Sequence, residues 1–171
     1  METMRIYGVV TDSIVDGPGY RTSVFTQGCP HHCPGCHNPE SHDPEGGTEW
    51  TLDAVEAKFT GNPLLDGITL TGGEPFAQPA ACAELARRAH DKGLNVWTYS
   101  GYTYEKLLEM AQRDPAVADL LARTDVLVEG PFLQEQRSLD LLFRGSKNQR
   151  IIDMNATRGA GEIVLYEQPQ W

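Results

Sequence analysis

Strand-like and helix-like stretches alternate along this 171-residue chain, and that order limits the folds open to it. Residues 21–28, 67–73, 94–101 and 125–131 are rich in β-branched and aromatic side chains and end at or beside a glycine, which predicts four strands. Apolar residues recur at helical spacing between them. Strands that alternate with helices are typical of a parallel sheet joined by right-handed crossovers.

The helices are predicted from their caps and apolar stripes. Thr51 is an expected N-cap, and Pro115 is expected to begin a short helix after Asp114. Cys82 belongs to an apolar stripe that predicts a further helix over residues 79–93. The remaining predictions are a helix that begins near Tyr104 and two late strands, at 150–153 and 162–166.

The length of the chain selects among sheet folds. A closed eight-fold βα barrel takes about 250 residues, and about 200 is near its lower limit. The 171 residues here are too few for that barrel. We therefore expect one α/β domain over residues 1–171, built as a partial (open) βα barrel with a mostly parallel sheet.

The loops after the predicted strands carry the unusual residues. Ligands of parallel α/β sheets bind at the carboxyl ends of the strands. Here those ends are followed by a cysteine-rich loop, then "TGGEP", "SGY" and "EGP". We expect these four loops to lie close together and to form the functional site.

Charge and composition exclude several classes of partner. The formal net charge is −10, and a basic stretch such as "FRGSKNQR" holds only three positive charges in eight residues. Nucleic acids are bound through basic surfaces, so no nucleic-acid partner is expected. A run of about 18 apolar residues is missing, and the first residues do not resemble a signal peptide. We expect no membrane association and a cytoplasmic protein, in which thiols stay reduced.

The stretch "GCPHHCPGCHNPE" holds Cys29, Cys33 and Cys36 in a C-x3-C-x2-C array. Cys82 lies far away on an apolar helical stripe and is expected to be a core thiol. The array fits two kinds of site. A zinc site would need a fourth ligand, for which His37 is the candidate. An iron–sulfur cluster normally takes four thiolates, so three would leave one iron open to a substrate.

The stretch "TGGEP" places Gly72, Gly73 and Glu74 directly after the second predicted strand. Two glycines allow the backbone to come close to a ligand, and a carboxylate suits a ligand's ammonium group. A plain turn after a strand remains the alternative.

Together these motifs resemble the radical S-adenosylmethionine (SAM) enzymes. The stretch "DGPGYRTSVFTQGCPHHCPGCHNPE" is similar, more specifically, to the activating enzymes of glycyl-radical proteins. Many radical SAM proteins have an aromatic residue before the third cysteine, where this chain has Gly35. That glycine, "VLVEGPF" and "FRGSKNQRIID" are similar to the activating proteins of anaerobic (class III) ribonucleotide reductase. The resemblance runs from about Tyr7 to Asp153.

The resemblance implies an iron–sulfur oxidoreductase. Three irons of a [4Fe–4S] cluster would be bound by Cys29, Cys33 and Cys36, and SAM would chelate the fourth. The edge formed by Gly72, Gly73 and Glu74 would receive the ammonium group of SAM. Reductive cleavage would give a 5′-deoxyadenosyl radical, which generates a glycyl radical on the large subunit of anaerobic ribonucleotide reductase. A flavodoxin- or ferredoxin-like protein would donate the electron. Ser100 and Glu129 would also contact SAM.

Alternatives remain open at this point. Ser100 and Glu129 could equally be loop or capping residues. The histidines between the first two cysteines, His31 and His32, are interpreted as solvent-facing or as neighbours of the ligands. Ser146, Asn148 and Gln149 either line the cavity or form a turn whose side chains bond to one another. The protein could also activate another glycyl-radical enzyme, such as pyruvate formate-lyase, or be a non-catalytic zinc or iron–sulfur module.

Overall fold

A computed structural model describes residues 2–14, 17–31, 43, 45–138, 141 and 143–167. The strands form one seven-stranded sheet in the order β3-β1-β2-β4-β5-β6-β7. They are β1 Thr3–Ser13, β2 Arg21–Thr26, β3 Thr48–Thr51, β4 Gly67–Gly72, β5 Asn95–Ser100, β6 Val126–Glu129 and β7 Arg150–Asp153. The helices are α1 Leu52–Ala57, α2 Pro79–Asp91, α3 Tyr104–Ala111, α4 Pro115–Arg123 and α5 Met154–Ala160.

The sheet is mixed, whereas the sequence predicted a mostly parallel one. The four predicted strands β2, β4, β5 and β6 do pair in parallel. Strand β1 pairs antiparallel with both β2 and β3, and β7 pairs antiparallel with β6. Parallel neighbours need a crossover, usually a helix, whereas antiparallel neighbours do not, and the described residues between β1 and β2 and between β6 and β7 contain no α-helix.

The sequence patterns missed two strands, β1 and β3, and the helix α5, and they predicted one strand that the structure does not have. Strand β1 has an irregular register with β2, with a shift between Ile6 and Gly8, so its side chains do not alternate cleanly. Strand β3 has only four residues, two exposed and two half-buried. Helix α5 begins directly after β7, where the Asp153 side chain accepts a hydrogen bond from Ala156 N. The strand predicted at 162–166 is wrong, since Leu165 forms only an isolated bridge with Ile152.

The helical caps and the core agree with the sequence pattern. The side chains of Thr51 and Asp114 accept hydrogen bonds from the first turns of α1 and α4. One face of the sheet packs against the helices, and Cys82 is buried in that core. A second cluster lies around Trp97, where Phe143 and Tyr166 pack edge-on against the indole.

A buried arginine lies near the amino ends of the parallel strands. Arg21 is 0 % exposed and donates to Thr69 Oγ1 at 2.8 Å, to Ile68 O at 2.8 Å and to Asn95 Oδ1 at 2.6 Å. Burial lowers the pKa of Arg21 to about 10. Arg21 thus fixes β2, β4 and β5 at the end opposite to the loops that carry the cysteines and glycines. No helix among the described residues has the length and apolar character needed to cross a membrane.

Candidate functional site

We call the carboxyl ends of β2, β4, β5 and β6 the carboxyl edge. The loops that follow β2 and β4 meet there. Gly73 N donates to Thr26 O at 2.8 Å, and Glu74 N donates to Gly28 O at 2.8 Å. These bonds extend the pairing of the two strands beyond their ends. Gly28, which accepts the bond from Glu74, directly precedes Cys29, the first residue of the cysteine array. The start of the array is therefore held against the "GGEP" loop.

Position 72 requires a glycine, because the backbone of the neighbouring strand β2 passes close to it. Its φ is +97°, and a Cβ at this position would lie 2.5 Å from Thr26 N and 2.6 Å from the carbonyl carbon of Phe25. A side chain therefore fits neither the backbone conformation nor the space. The glycine permits the strand ends to approach closely enough for the cysteine loop and "GGEP" to bond.

Glu74 is the centre of the site. Its side chain is fully buried, and Oε1 accepts hydrogen bonds from Ser100 Oγ at 3.0 Å and Gly101 N at 2.8 Å. The other oxygen, Oε2, accepts from Phe76 N at 3.2 Å. His31 Nε2 lies 2.5 Å from Oε1. A buried carboxylate needs such partners, and here they come from three different loops.

His31 contacts Glu74 from the cysteine loop. Its ring also packs edge-on against Tyr102, with centroids 4.4 Å apart. A Cβ on Gly101 would lie 2.5 Å from His31 Cδ2, so glycine at that position makes room for the ring. The sequence interpretation allowed His31 either a solvent-facing or a neighbouring place, and the structure shows the second: its side chain is 15 % exposed.

The loop after β5 joins the same group. Ser100 is buried, donates to Glu74 and accepts a hydrogen bond from Tyr102 N at 3.0 Å. Burial raises the pKa of Tyr102, and the negative charges of Glu74 and Cys29 raise it further. The structure therefore brings Ser100, Glu74 and Cys29 together, as the order of the loops predicted.

Glu129 has partners of its own. It is 1 % exposed, and its carboxylate accepts from Arg150 Nε at 2.9 Å, from Arg150 Nη2 at 2.8 Å and from Tyr104 N at 2.5 Å. Glu105 contacts the same guanidinium, and the hydrogen bonds that Arg150 donates to Glu129 and Glu105 raise the pKa of Arg150. Glu129 lies at the carboxyl edge, paired across the sheet with Ser100, and it holds the start of α3.

The structure describes only the first of the three clustered cysteines. Cys29 is half-buried at the carboxyl edge. Cys33, Cys36 and His37 lie outside the described residues, and within the described residues no three His, Cys, Asp or Glu side chains are grouped to hold a metal ion. Cys82 is buried in the core, and burial, together with the charge of Glu74, raises the pKa of its thiol to about 12. A protonated buried thiol is not a metal ligand.

Ser146, Asn148 and Gln149 form a turn that is bonded to the loop after β6. Asn148 Nδ2 donates to Pro131 O at 2.8 Å, and Gln149 Nε2 donates to Gly130 O at 3.0 Å. Ser146 Oγ donates to Asn148 Oδ1 at 2.6 Å. Of the two sequence interpretations, the described contacts match the turn with bonded side chains.

The donor set fits an iron–sulfur cluster better than zinc. Cys29 begins an array of three thiolates on a loop bonded to the sheet, and the neighbouring carboxylate is already supplied with donors by the protein. Three thiolates and no fourth cysteine at the site match a cluster with one open iron. His37, the residue that zinc would need, cannot be placed because it lies outside the described residues.

The comparison with known families agrees with that chemistry. Residues 15–152 match the model of the 4Fe-4S single cluster domain, which contains all three clustered cysteines and the whole carboxyl edge. The chain thus has the domain of an iron–sulfur protein with a single 4Fe–4S cluster.

Individual relatives indicate a more specific family among the iron–sulfur proteins. The chain is 36 % identical over 147 residues to the anaerobic ribonucleoside-triphosphate reductase-activating protein of Escherichia coli K12, covering 80 % of this chain and 90 % of that one. It is 35 % identical over 155 residues to the protein of that name in Salmonella typhimurium, covering 85 % and 96 %. The bacteriophage T4 protein of that name is 29 % identical over 144 residues, covering 80 % and 86 %. The chain belongs to the family of anaerobic ribonucleoside-triphosphate reductase-activating proteins.

A solved structure has a partial likeness to the fold. The crystal structure of QueE from Escherichia coli covers 59 % of this chain and 53 % of its own, with a TM-score of 0.45 and 15 % sequence identity.

Proposed function

We propose that this protein cleaves SAM reductively and generates a glycyl radical on anaerobic ribonucleotide reductase. The observation that carries the proposal is the hydrogen bond between Glu74 N and Gly28 O, which fixes the start of the cysteine array against the "GGEP" motif. The chemistry that a [4Fe–4S] cluster supplies when bound is transfer of one electron to the SAM sulfonium, which releases methionine and a 5′-deoxyadenosyl radical. That radical takes a hydrogen atom from a glycine Cα of the reductase.

The role of the cysteines follows from their place. Cys29, Cys33 and Cys36 would hold three irons, which leaves the fourth to the amino and carboxylate groups of SAM. Cys29 lies at the carboxyl edge, where the loops of a parallel sheet gather around ligands. Cys82 takes no part, because its thiol is buried on the helical side of the sheet.

The role of Glu74 is to receive the ammonium group of SAM, with Gly72 and Gly73 giving the backbone its close approach. Four donors already surround the carboxylate, so one of them must give way. Gly101 N and Phe76 N are fixed in the backbone, and Ser100 is buried at a strand end. His31 is a partly exposed side chain on the cysteine loop, so we assign the exchange to His31.

Ser100 and Glu129 act in this proposal through the shape of the site. Ser100 orients Glu74, and it is near enough to the same carboxylate oxygen to contact the ammonium group. Glu129 keeps α3 and β7 against the carboxyl edge through Tyr104 N and Arg150. Direct contact of Glu129 with SAM would require that it leave Arg150.

The finer features of the proposal follow the same resemblance. The seven-stranded sheet would be a partial βα barrel of the radical SAM type, open on one side to admit a protein loop that carries the glycine. A primary carbon radical must be shielded from water, which a docked partner can do. The electron would come from a flavodoxin- or ferredoxin-like protein, and the setting would be cytoplasmic.

The test is anaerobic reconstitution of the cluster, chemical reduction, addition of SAM and measurement of 5′-deoxyadenosine. We expect release of 5′-deoxyadenosine by the wild-type protein and by Cys82→Ala, and none by Cys29→Ala, Cys33→Ala or Cys36→Ala. The proposal would be contradicted by a reconstituted wild-type protein that holds four irons but releases no 5′-deoxyadenosine.

A further inference from the structure

The basic turn Arg144–Arg150 holds three cations within seven residues of a chain with net charge −10, and two of them, Arg144 and Lys147, have no role in the proposed cofactor site. Its polar side chains bond inward, to one another and to the loop after β6, as described above. Lys147 N also donates to Gln136 O at 3.0 Å. These bonds give the turn a fixed shape, in which Lys147 is exposed while Arg144 and Arg150 are half-buried.

The charged side chains line a cleft of about 150 Å³. Arg144, Lys147 and Arg150 contribute the cations, and Leu165 and Tyr166 contribute apolar surface. Leu165 is 58 % exposed, which is high for a leucine beside a cleft. The cleft thus combines positive charge with an apolar wall.

Two of the three cations lack a compensating carboxylate. Arg150 is bonded to Glu105 and Glu129, so its charge is neutralised. Within the residues that the structure describes, neither Arg144 nor Lys147 forms an ion pair. Arg144 Nη1 donates only to carbonyl oxygens, those of Lys147 and Gln149, and Arg144 Nε is buried without a partner in the described part of the chain. A buried donor without an acceptor is rare in proteins and costs free energy, which a ligand can recover.

The cleft lies at the same edge as the proposed cofactor site. Arg150 pairs across the sheet with Glu129, and Glu129 pairs with Ser100. Neighbouring strands are about 4.8 Å apart, so the first residue of β7 lies roughly 10 Å from Ser100. A protein that presents a glycine to the carboxyl edge would extend over this distance.

We propose that the cleft is a docking site for an acidic segment of the reductase. A carboxylate there would bond Arg144 Nε and pair with Lys147, and an apolar residue beside it would cover Leu165. Charge-assisted hydrogen bonds of this kind are the strong ones, and arginine recognises a carboxylate with two parallel bonds. This inference rests on the proposed function, because it takes the reductase as the partner.

The test compares two variants of the reconstituted protein, each of which reverses the charge of one lysine. Lys147→Glu places a negative charge at the cleft. Lys58→Glu is the control, because Lys58 is also exposed, forms no ion pair with a described residue and lies at the opposite edge, where Thr22 Oγ1 donates to its carbonyl. Its ammonium group lies 5.9 Å from the centroid of the Trp50 ring, so the melting temperature of both variants is measured as well. The measurements are the Kd for the reductase at low and high salt, iron content and 5′-deoxyadenosine release without the reductase.

We expect Lys147→Glu to raise the Kd at least about tenfold at low salt, and less at high salt, because salt screens surface charges. Lys58→Glu should change the Kd less than about twofold, and both variants should keep their iron and their SAM cleavage. An unchanged Kd for Lys147→Glu overturns the docking site alone. A wild-type protein that cleaves SAM but binds no reductase overturns the partner assignment as well. Binding of tripolyphosphate that Lys147→Glu abolishes, with an unchanged Kd for the reductase, would identify a phosphate site and contradict the proposal.

Discussion

His31 Nε2 lies 2.5 Å from Glu74 Oε1, so a histidine of the cysteine loop covers a carboxylate that is otherwise enclosed by the sheet. The two residues are 43 positions apart in sequence. Their contact ties the loop that would hold the cluster to the motif that would hold SAM. In the proposed function this contact must break when the ammonium group of SAM reaches Glu74.

His31→Ala should therefore tighten SAM binding. Glu74 keeps Ser100 Oγ, Gly101 N and Phe76 N in the variant, so it remains supplied with donors while losing the one that competes with a ligand. One hydrogen bond to a charged group corresponds to about a tenfold change in Kd. Equilibrium dialysis of SAM with reconstituted protein of equal iron content measures it. Weaker binding in His31→Ala would show that His31 orients Glu74 for SAM instead of competing with it.

Gly101→Ala should disturb the same contact from the other side. The new Cβ would lie 2.5 Å from the imidazole ring, so the His31 side chain must shift away from its place against Glu74. We expect a loss of stability of about 1–3 kcal/mol and a lower iron content after reconstitution. Gly159→Ala is the control, because no atom lies within 4 Å of its Cβ and α5 should gain about 0.5–1 kcal/mol. Equal iron and equal melting temperature in the two variants would contradict this role of Gly101.

Arg150→Ala should destabilise the protein strongly. It leaves Glu129, which is 1 % exposed, as a buried charge without its cation. Breaking such a pair costs about 3 kcal/mol, which urea unfolding measures. Arg113→Ala removes an exposed pair with Glu109 and should cost less than about 1 kcal/mol. Similar midpoints for the two variants would mean that the Glu129–Arg150 pair does not hold β7 in place.

Cys82 should resist alkylation in the folded protein, because burial raises the pKa of its thiol from 9.0 to about 12. Since the thiolate is disfavoured in the folded state, the stability from the neutral thiol is complete below pH 9.0 and falls as the pH rises towards about 12. Cys82→Ala should lose about 1 kcal/mol at neutral pH but show a flatter decline in this alkaline range. Rapid alkylation of Cys82 in the native protein at pH 8 would contradict its burial.

The sequence predicted the parallel strands and their loops because both signals are local. β-branched residues that end at a glycine mark β2, β4, β5 and β6, and the order of the loops placed Glu74 and Ser100 at one edge. The N-cap Thr51 and the start of a helix at Pro115 were predicted for the same reason, because such signals lie within a few residues of the helix that they begin.

The remaining features depend on contacts between distant residues. Strand β1 is interrupted by a register shift, and β3 is too short and exposed to show a periodic pattern. Arg150 meets Glu129 only because β7 runs antiparallel to β6, so the sequence assigned Glu129 to SAM without its ion pair. The packing of His31 onto Gly101 likewise has no sequence signal, since it requires two loops to be placed in three dimensions.

The most direct test of the proposed function is an electron paramagnetic resonance spectrum. Reconstituted and reduced protein would be mixed anaerobically with SAM and an anaerobic ribonucleotide reductase. We predict a glycyl-radical doublet on the reductase that is absent when Cys29→Ala replaces the wild-type protein or when the reductase glycine is changed to alanine. Release of 5′-deoxyadenosine without a doublet on the reductase, but with one on pyruvate formate-lyase, would contradict the account.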